Sequence, residues 1–512
     1  MTDWTSGYIA DLAYTYGCYT ELNPLRATLA LLDRGVAPPP AGPCCELGFG
    51  QGVSINVHAA ASGTEWWGTD FAPVQAGFAQ RLAQASGAGA HLYDQSFAEF
   101  CARTDLPDFA FIGLHGIWSW VSDDNRALLV DFIRRKLMVG GLVYVGYNTQ
   151  PGWANFQPMR NLMAQFGDAM VPAGIGTSQR VSLALDFADK LVSLNPVYAR
   201  LNPQVGERLG GLRTKQQAYL AHEFFNRDWH PMAFGDMARW LAPAKLDFAG
   251  SATFADHIDA MNLTGEQHAF LASIPDMVLR ETTRDFFFSQ QFRKDYWVKG
   301  ATTLDQPTQM ALMRRLPVVL VRHPPVVSNS FKGLLGEIEL DMALFGPLLE
   351  FLGDHQPHTL AEVEAFMAPK GMTFAQLLQT VMLLVGRDDM ALARTGEQAA
   401  AARPHTDRLN AAILALAPVS KRDVPFLASP VTGGGHSVLR THQLFLLAVQ
   451  DGRTTAEGIA DYLRQLIATY DLSMQNAEGK QETTEESVSR MRGEAAIFLA
   501  QTLPVLHALG IA

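Results

Sequence analysis

The run Cys44-Cys45-Glu46-Leu47-Gly48-Phe49-Gly50-Gln51-Gly52 carries an apolar strand into an acid-x-Gly-x-Gly-x-Gly turn, and a helical pattern leaves it. Glycines at such a turn permit tight backbone geometry and let a ligand approach the main chain near a helix N-terminus. The third glycine falls two residues after the second. In the dinucleotide fingerprint G-x-G-x-x-G it would fall three after, at Val53, and the acid before the first glycine is foreign to that pattern.

On either side of this turn, short apolar runs alternate with helical stretches. Pro43–Leu47, Thr64–Asp70, Ala90–Tyr93, Phe109–Leu114 and Gly141–Tyr147 read as strands. Asn56–Ala61, Pro73–Ala85 and Arg126–Leu137 read as the helices between them. That alternation predicts an α/β domain with a parallel sheet covered on both faces.

Acids recur at the strand ends. Asp70 follows the second strand, 24 residues beyond Glu46, where a carboxylate accepts both ribose hydroxyls. Asp94-Gln95-Ser96-Phe97 follows the third, with short polar groups for an adenine amine and a ring to cover it. Three acids in register argue against a generic glycine turn. The rival enzymatic reading is an NAD-dependent oxidoreductase, which the glycine spacing disfavours.

From Glu46 to Asn148 the chain resembles a class I, Rossmann-like S-adenosylmethionine-dependent methyltransferase. The resemblance implies S-adenosyl-L-methionine as cofactor, held by Glu46, Gly48, Gly50 and Gly52, with Asp70 and Phe71 at the ribose and Asp94, Gln95, Ser96 and Phe97 at the adenine. Further stretches narrow the group. They are Tyr14–Pro24 before the first strand, Leu114–Val121 after the fourth, and Tyr147–Trp153 after the fifth. Together with Ala221–Asn226, Arg284-Asp285, Ala428–Val431 and Gln443–Gly452 they are similar to bacterial methyltransferases with a methyltransferase regulatory domain. That group includes rickettsial lysine methyltransferases of outer-membrane proteins. Phe286–Ser289 departs from the arginine-containing stretch expected there.

An aromatic, partly polar wall suits both a sulfonium and an amine. Tyr16 is expected on the cofactor side, and Trp118, Trp120, Tyr147 and Trp153 on the substrate side. Tyr147, Asn148 and His115 are the catalytic candidates, His115 also bordering the cofactor. Each has a packing alternative, and for His115 that is a hydrogen-bonded structural histidine. His355 and His358 resemble a metal pair superficially, but Pro357 and the helix start at Thr359 favour a turn, so no metal is assigned.

The 512 residues predict several units. The divisions are a cofactor core over 1–153, a helical insertion and candidate dimerisation region over 154–222, a regulatory middle domain over 223–300, and a C-terminal α+β region over 301–512. In the last, helices at His358–Phe366 and Phe374–Val385 and a strand at Met390–Arg394 suggest a winged-helix-like unit. Leu304–Val326 reads as a connector and Gln475–Glu486 as a mobile loop. Leu246–Ser251 is a candidate for one of the two strands a class I sheet still needs after the fifth.

Hydrophobic residues make up 48% of the chain and charged residues 18%, enough for substantial cores. With 40 Lys+Arg against 51 Asp+Glu the net charge is −11, which argues against a nucleic-acid partner. The N-terminus lacks a signal-peptide pattern, no apolar run is long enough to span a bilayer, and the four cysteines lack paired spacing. A cytoplasmic enzyme is expected, acting on a protein such as an outer-membrane protein before export. A small-molecule methyltransferase and a non-catalytic S-adenosylmethionine sensor are the alternatives.

Overall fold

The computed structural model describes residues 5, 7–9, 11–12, 15–172, 174–419, 423–470 and 481–512. A seven-stranded sheet frames the site, in the order β3-β2-β1-β4-β5-β7-β6. Its strands are β1 (Cys44–Leu47), β2 (Trp66–Thr69), β3 (Ala90–Tyr93), β4 (Phe109–Leu114), β5 (Leu137–Asn148), β6 (Leu246–Ser251) and β7 (Phe292–Lys299). The first five run parallel, and β7 is antiparallel to both β5 and β6. The order reverses between β1 and β4, and open α/β sheets bind ligands at such a switch point.

Helices α1 (Pro24–Asp33), α2 (Val53–Ser62), α3 (Pro73–Ser86), α4 (Phe97–Cys101) and α5 (Asp123–Lys136) flank the sheet. Residues of β1 and β4 are buried throughout, as parallel strands covered on both faces require. Gly52 and Gly63, both left-handed, delimit α2. Burial extends around every face of this helix, because the helix Gly396–Leu414 and the hairpin Phe426–Ser429/Gly434–Ser437 pack onto it.

β6 falls where the sequence suggests. β7 does not announce itself, because Arg293 and Asp295 break its apolar pattern. Both are buried there: Arg293 donates to Asp295 at 2.9 Å and to Asp285 at 2.6 Å, and it also reaches Glu281 at 3.1 Å. Between β5 and β6 the chain forms α6 (Gln157–Met170), α7 (Thr177–Ser193), α8 (Val197–Leu201), α9 (Gln204–Leu212) and α10 (Gln217–Phe224), all helical as the periodicity predicts.

The connector expected at Leu304–Val326 is instead a helix, Gln306–Arg314, and a strand, Pro317–Leu320. The proline pair that suggested a linker begins only a short turn after them. That strand is the middle member of a three-stranded sheet, between His358–Thr359 and Met390–Leu392. Helices Leu360–Met367 and Phe374–Gly386 and the strand Met390–Leu392 follow in the expected helix-helix-strand order, with the central strand of the sheet supplied from upstream. Of the loop expected at Gln475–Glu486, residues 475–480 lie outside the described residues, and Thr484–Glu486 open a helix capped by Thr483. The four cysteines are free and buried, and no helix among the described residues is long and apolar enough to cross a membrane.

Candidate active site

A cavity of about 460 Å³ lies at the carboxyl ends of β1, β2, β3 and β4. Gly48, Gly50 and Gly52 line its floor with φ of 73°, 57° and 66°, a region that side-chain-bearing residues rarely adopt. The loop is pinned from below: the Gly48 N–H donates to the Thr69 carbonyl at 2.8 Å, and the Gly50 N–H to Asp70 Oδ2 at 2.9 Å. Asp70 Oδ1 accepts from the Ala72 N–H at 3.0 Å, so the carboxylate is oriented before any ligand arrives.

Glu46 is 2% exposed, and its Oε2 is buried without a hydrogen-bond partner. Burial, with the Asp70 charge added, pushes its carboxyl well above the usual range. Burial likewise raises Asp70 to about 6, against its two backbone donors. An orphaned buried carboxylate beside a glycine cradle fits a ligand carrying an ammonium and a ribose.

Several expected residues line this cavity: Glu46, the three glycines, Asp70, Phe71, Gln95, Ser96, Phe97, His115 and Trp120. Asp94 does not. It is exposed, and the turn presents Gln95 instead, whose carbonyl accepts from Thr69 Oγ1. Tyr16 packs edge-on against Phe78 at 5.2 Å, while Tyr8 and Tyr19 supply the aromatic cover.

The end of β5 departs most from expectation. Tyr147 is fully buried and absent from the cavity wall, and its hydroxyl donates to Asp295 Oδ2 at 2.7 Å. Asn148 is also buried: its N–H donates to Ser119 Oγ at 2.8 Å and its Nδ2 reaches Glu223 at 3.4 Å. The cause is β7, which pairs with β5 through Asn148 and covers the strand end. Trp118 is in the core, its Nε1 3.4 Å from Met232 Sδ, and Trp153 packs against Trp229 and Phe224. None of these four touches the cavity, so the substrate and catalytic placements of Tyr147, Asn148, Trp118 and Trp153 are corrected to packing and support.

His115 stacks on Tyr19 at 3.5 Å, and its Nδ1 lies 2.9 Å from the Tyr144 hydroxyl. That hydroxyl has no other acceptor among the described residues, so it donates and leaves the ring proton on Nε2. Burial lowers His115 to about 4, which makes it a neutral hydrogen-bond donor at pH 7 rather than a base.

Several lining residues were not assigned to the site by the sequence reading. Asp124 comes from the start of α5, and Asn226, Arg227 and Asp228 follow α10. Asn226 Oδ1 accepts from the Ile9 N–H at 3.0 Å, and the Arg227 N–H donates to the Gly7 carbonyl at 3.1 Å. These bonds anchor Gly7 and Ile9 and so hold the N-terminal strap, which carries Tyr8 and further along Tyr19, over the cavity. No local pattern signals them, because the helical insertion separates them from the glycine loop. His355 Nδ1 bonds the Leu320 carbonyl at the end of the strand Pro317–Leu320, and His358 pairs with Asp354.

Asp70→Ala is expected to weaken S-adenosylmethionine and its demethylated product alike, since the ribose is common to both. Two hydrogen bonds to a charged acceptor suggest about 2–4 kcal/mol, or roughly 30- to 1,000-fold. In the parent protein, affinity should rise from pH 5 to 7 as Asp70 ionises near 6, because the ionised form is the stronger acceptor. Calorimetry across that range checks both. An affinity flat in pH, with Asp70→Ala unchanged, would separate Asp70 from the ligand.

Residues 216–299 match the family described as a predicted methyltransferase regulatory domain. In this structure that stretch supplies β6 and β7 and so completes the sheet. A Synechocystis protein, described as uncharacterized protein sll1526, is 35% identical over 519 residues, covering 99% of both chains. Uncharacterized protein RP789 of Rickettsia prowazekii is 26% identical over 72% of this chain and 65% of its own. Among solved structures, PKMT2 from Rickettsia typhi in complex with AdoHcy superposes with a TM-score of 0.68 at 16% identity, covering 97% of this chain and 99% of that one. At that identity the likeness is one of fold.

Proposed function

Because the chain belongs to the class I S-adenosylmethionine-dependent methyltransferases that carry a methyltransferase regulatory domain, we propose that it methylates lysine side chains of a protein substrate. The observation that carries this reading is the charge of the cavity lining. With Glu46 and Asp70 given to the cofactor, Asp124 and Asp228 remain against the single lining cation Arg227, 3.5 Å from Asp228, among the described residues, and the Trp120 ring lines the same cavity. An acidic and aromatic wall attracts an ammonium, with cation–π attraction of about 0.5–2 kcal/mol. The name PKMT2 of the R. typhi neighbour and the resemblance to rickettsial lysine methyltransferases point the same way.

In this reading Glu46 receives the methionine ammonium and Asp70 the ribose hydroxyls, while Phe97 and Ile117 flank the base. Bound S-adenosylmethionine supplies a methyl already activated as a sulfonium. The protein aligns the acceptor and excludes water, and Tyr8 and Tyr19 of the strap serve the second task. The neutral lysine nitrogen attacks in line, its lone pair forming the N–C bond while the S–C pair returns to sulfur. The methylated product stays an ammonium at neutral pH, because the one proton released was lost before attack. Neither His115 nor Tyr147 is placed to act as a strong base, so a lysine drawn in as the ammonium gives its proton to solvent before it attacks.

That gives a kinetic test. Free lysine has a pKa of about 10.4, so about one in a thousand is neutral at pH 7.4. With cofactor saturating, kcat/KM for the acceptor should rise roughly tenfold per pH unit from 7 to 9 and persist in His115→Ala. A carboxylate acceptor would give a flat profile over that range, and a flat profile removes lysine. Incubation with methyl-labelled cofactor and a cell lysate, followed by mass spectrometry of labelled proteins, identifies the acceptor atom.

A further inference from the structure

Beside the cavity, and sharing Tyr8, Asn226 and Arg227 with it, runs a groove of about 910 Å³ between the N-terminal strap and helices α6 and α7. Its wall contains Arg160, which is only 4% exposed. The Arg160 Nη2 donates to the Asn226 carbonyl, Nη1 lies 3.4 Å from Asn161 Oδ1, and Nε has no partner. Among the described residues no carboxylate comes within 4.0 Å of this guanidinium. The Trp229 ring, 5.0 Å away, offers only a π-face. Burial lowers Arg160 to about 10 against the more distant charges of Glu223 and Asp168, so it remains a cation at neutral pH.

A buried guanidinium without a carboxylate is unfavourable in isolation, and an incoming anion relieves it with charge-assisted hydrogen bonds. The rest of the groove does not provide that anion. Asp168 is taken by Arg180 and Asp11 stands exposed on the groove wall, while Arg227, 3.5 Å from Asp228, adds a second cation at the junction with the cavity. The track therefore changes sign along its length, acidic and aromatic at the cofactor end and basic beyond the strap.

We propose that this groove binds an acidic side chain of the polypeptide acceptor, with Arg160 as its charge partner, so that the enzyme selects lysines with a glutamate or aspartate nearby. The proposal rests on the lysine reading above and specifies its substrate. Arg160 is a specificity residue here, since it touches neither the methyl nor the attacking nitrogen.

The test uses full-length protein, methyl-labelled cofactor and peptides with one lysine and one glutamate at each offset up to four residues on either side, against glutamine controls. At one offset or more, the glutamate peptide should show about tenfold higher kcat/KM, the size expected for one partly desolvated charge pair. Arg160→Gln should reduce that preference below twofold while affinity for S-adenosylhomocysteine stays normal, and Arg160→Lys should retain part of it. Equal rates for glutamate and glutamine peptides in the parent protein would overturn the proposal and leave lysine methylation standing. So would a preference that survives Arg160→Gln.

If no peptide is methylated, the lysine reading fails, and a binding measurement still decides the groove. Dye-labelled hexaglutamate should bind the product-loaded protein with at least tenfold weaker affinity in Arg160→Gln. Equal binding in both, or none in either, would overturn the anion site. Should Arg160→Gln fail to fold, the exposed Arg227→Ala is expected to reduce the glutamate preference, or hexaglutamate affinity, about threefold. No change there would count against the proposal.

Discussion

Gly50→Val is expected to abolish S-adenosylmethionine binding, with a loss beyond 1,000-fold on the order of 4 kcal/mol or more, while the circular dichroism spectrum stays near that of the parent. Gly50 sits at φ 57° on the cavity floor, where a β-branched residue is strained and its methyls project toward the ligand. Its N–H also holds Asp70, so displacing it disturbs the ribose acceptor as well. The neighbouring glycines make poorer probes. A Cβ at Gly52 would lie 2.3 Å from the Ala79 Cβ, and one at Gly48 2.6 Å from Ile117 Cγ2, so those variants disturb packing before binding. Calorimetry and circular dichroism on the same Gly50→Val preparation decide the matter. Micromolar binding retained in a folded variant would remove the cofactor assignment.

A fragment ending at Trp153 should fail to fold. It contains the glycine loop and five strands, but β7 pairs with β5 from Leu142 to Asn148, and its removal leaves a central strand as an open edge. Tyr144 and Tyr147 lose the neighbours Tyr296 and Asp295, and α2 loses the C-terminal hairpin and helix that cover it. Full burial of a large side chain contributes about 1.5–3 kcal/mol, so exposing several exceeds the stability of an ordinary domain. Expression with solubility and thermal melting as readouts tests this. A soluble fragment 1–153 that melts cooperatively and binds S-adenosylmethionine would show that the later strands are dispensable.

The regulatory-domain segment thereby acquires a physical meaning. Residues 216–299 supply the last two strands of the catalytic sheet and, through Asn226 and Arg227, the hydrogen bonds that hold the strap over the cavity. A change in this segment can therefore reach the cofactor cavity without any ligand of its own.

The glycine loop, Glu46, Asp70, Gln95 and Phe97 were legible because their signal is local. A strand, a turn requiring positive φ and a helix follow one another directly, and an acid at the end of a parallel strand has few places to go. Tyr147, Asn148, Trp118 and Trp153 were misplaced for the opposite reason. Their positions depend on β7 and α11 (Phe234–Leu241), and on a helical insertion that returns the chain from far along the sequence. Consecutive residues of a strand face opposite sides, so a strand end shows where the chain stops but not which side chain the next strand will bury. Asp94 gave way to Gln95 because both lie past the end of β3, where no strand alternation fixes which side chain faces the cavity. The sequence thus determined by itself the glycine-lined floor of the cavity and its acids, where the chemistry of neighbouring residues suffices. The rest of the cavity lining, with Asp124 and Asp228, and the groove at Arg160 took shape only when distant segments packed together, because charge and aromaticity become a site only where folding makes them converge.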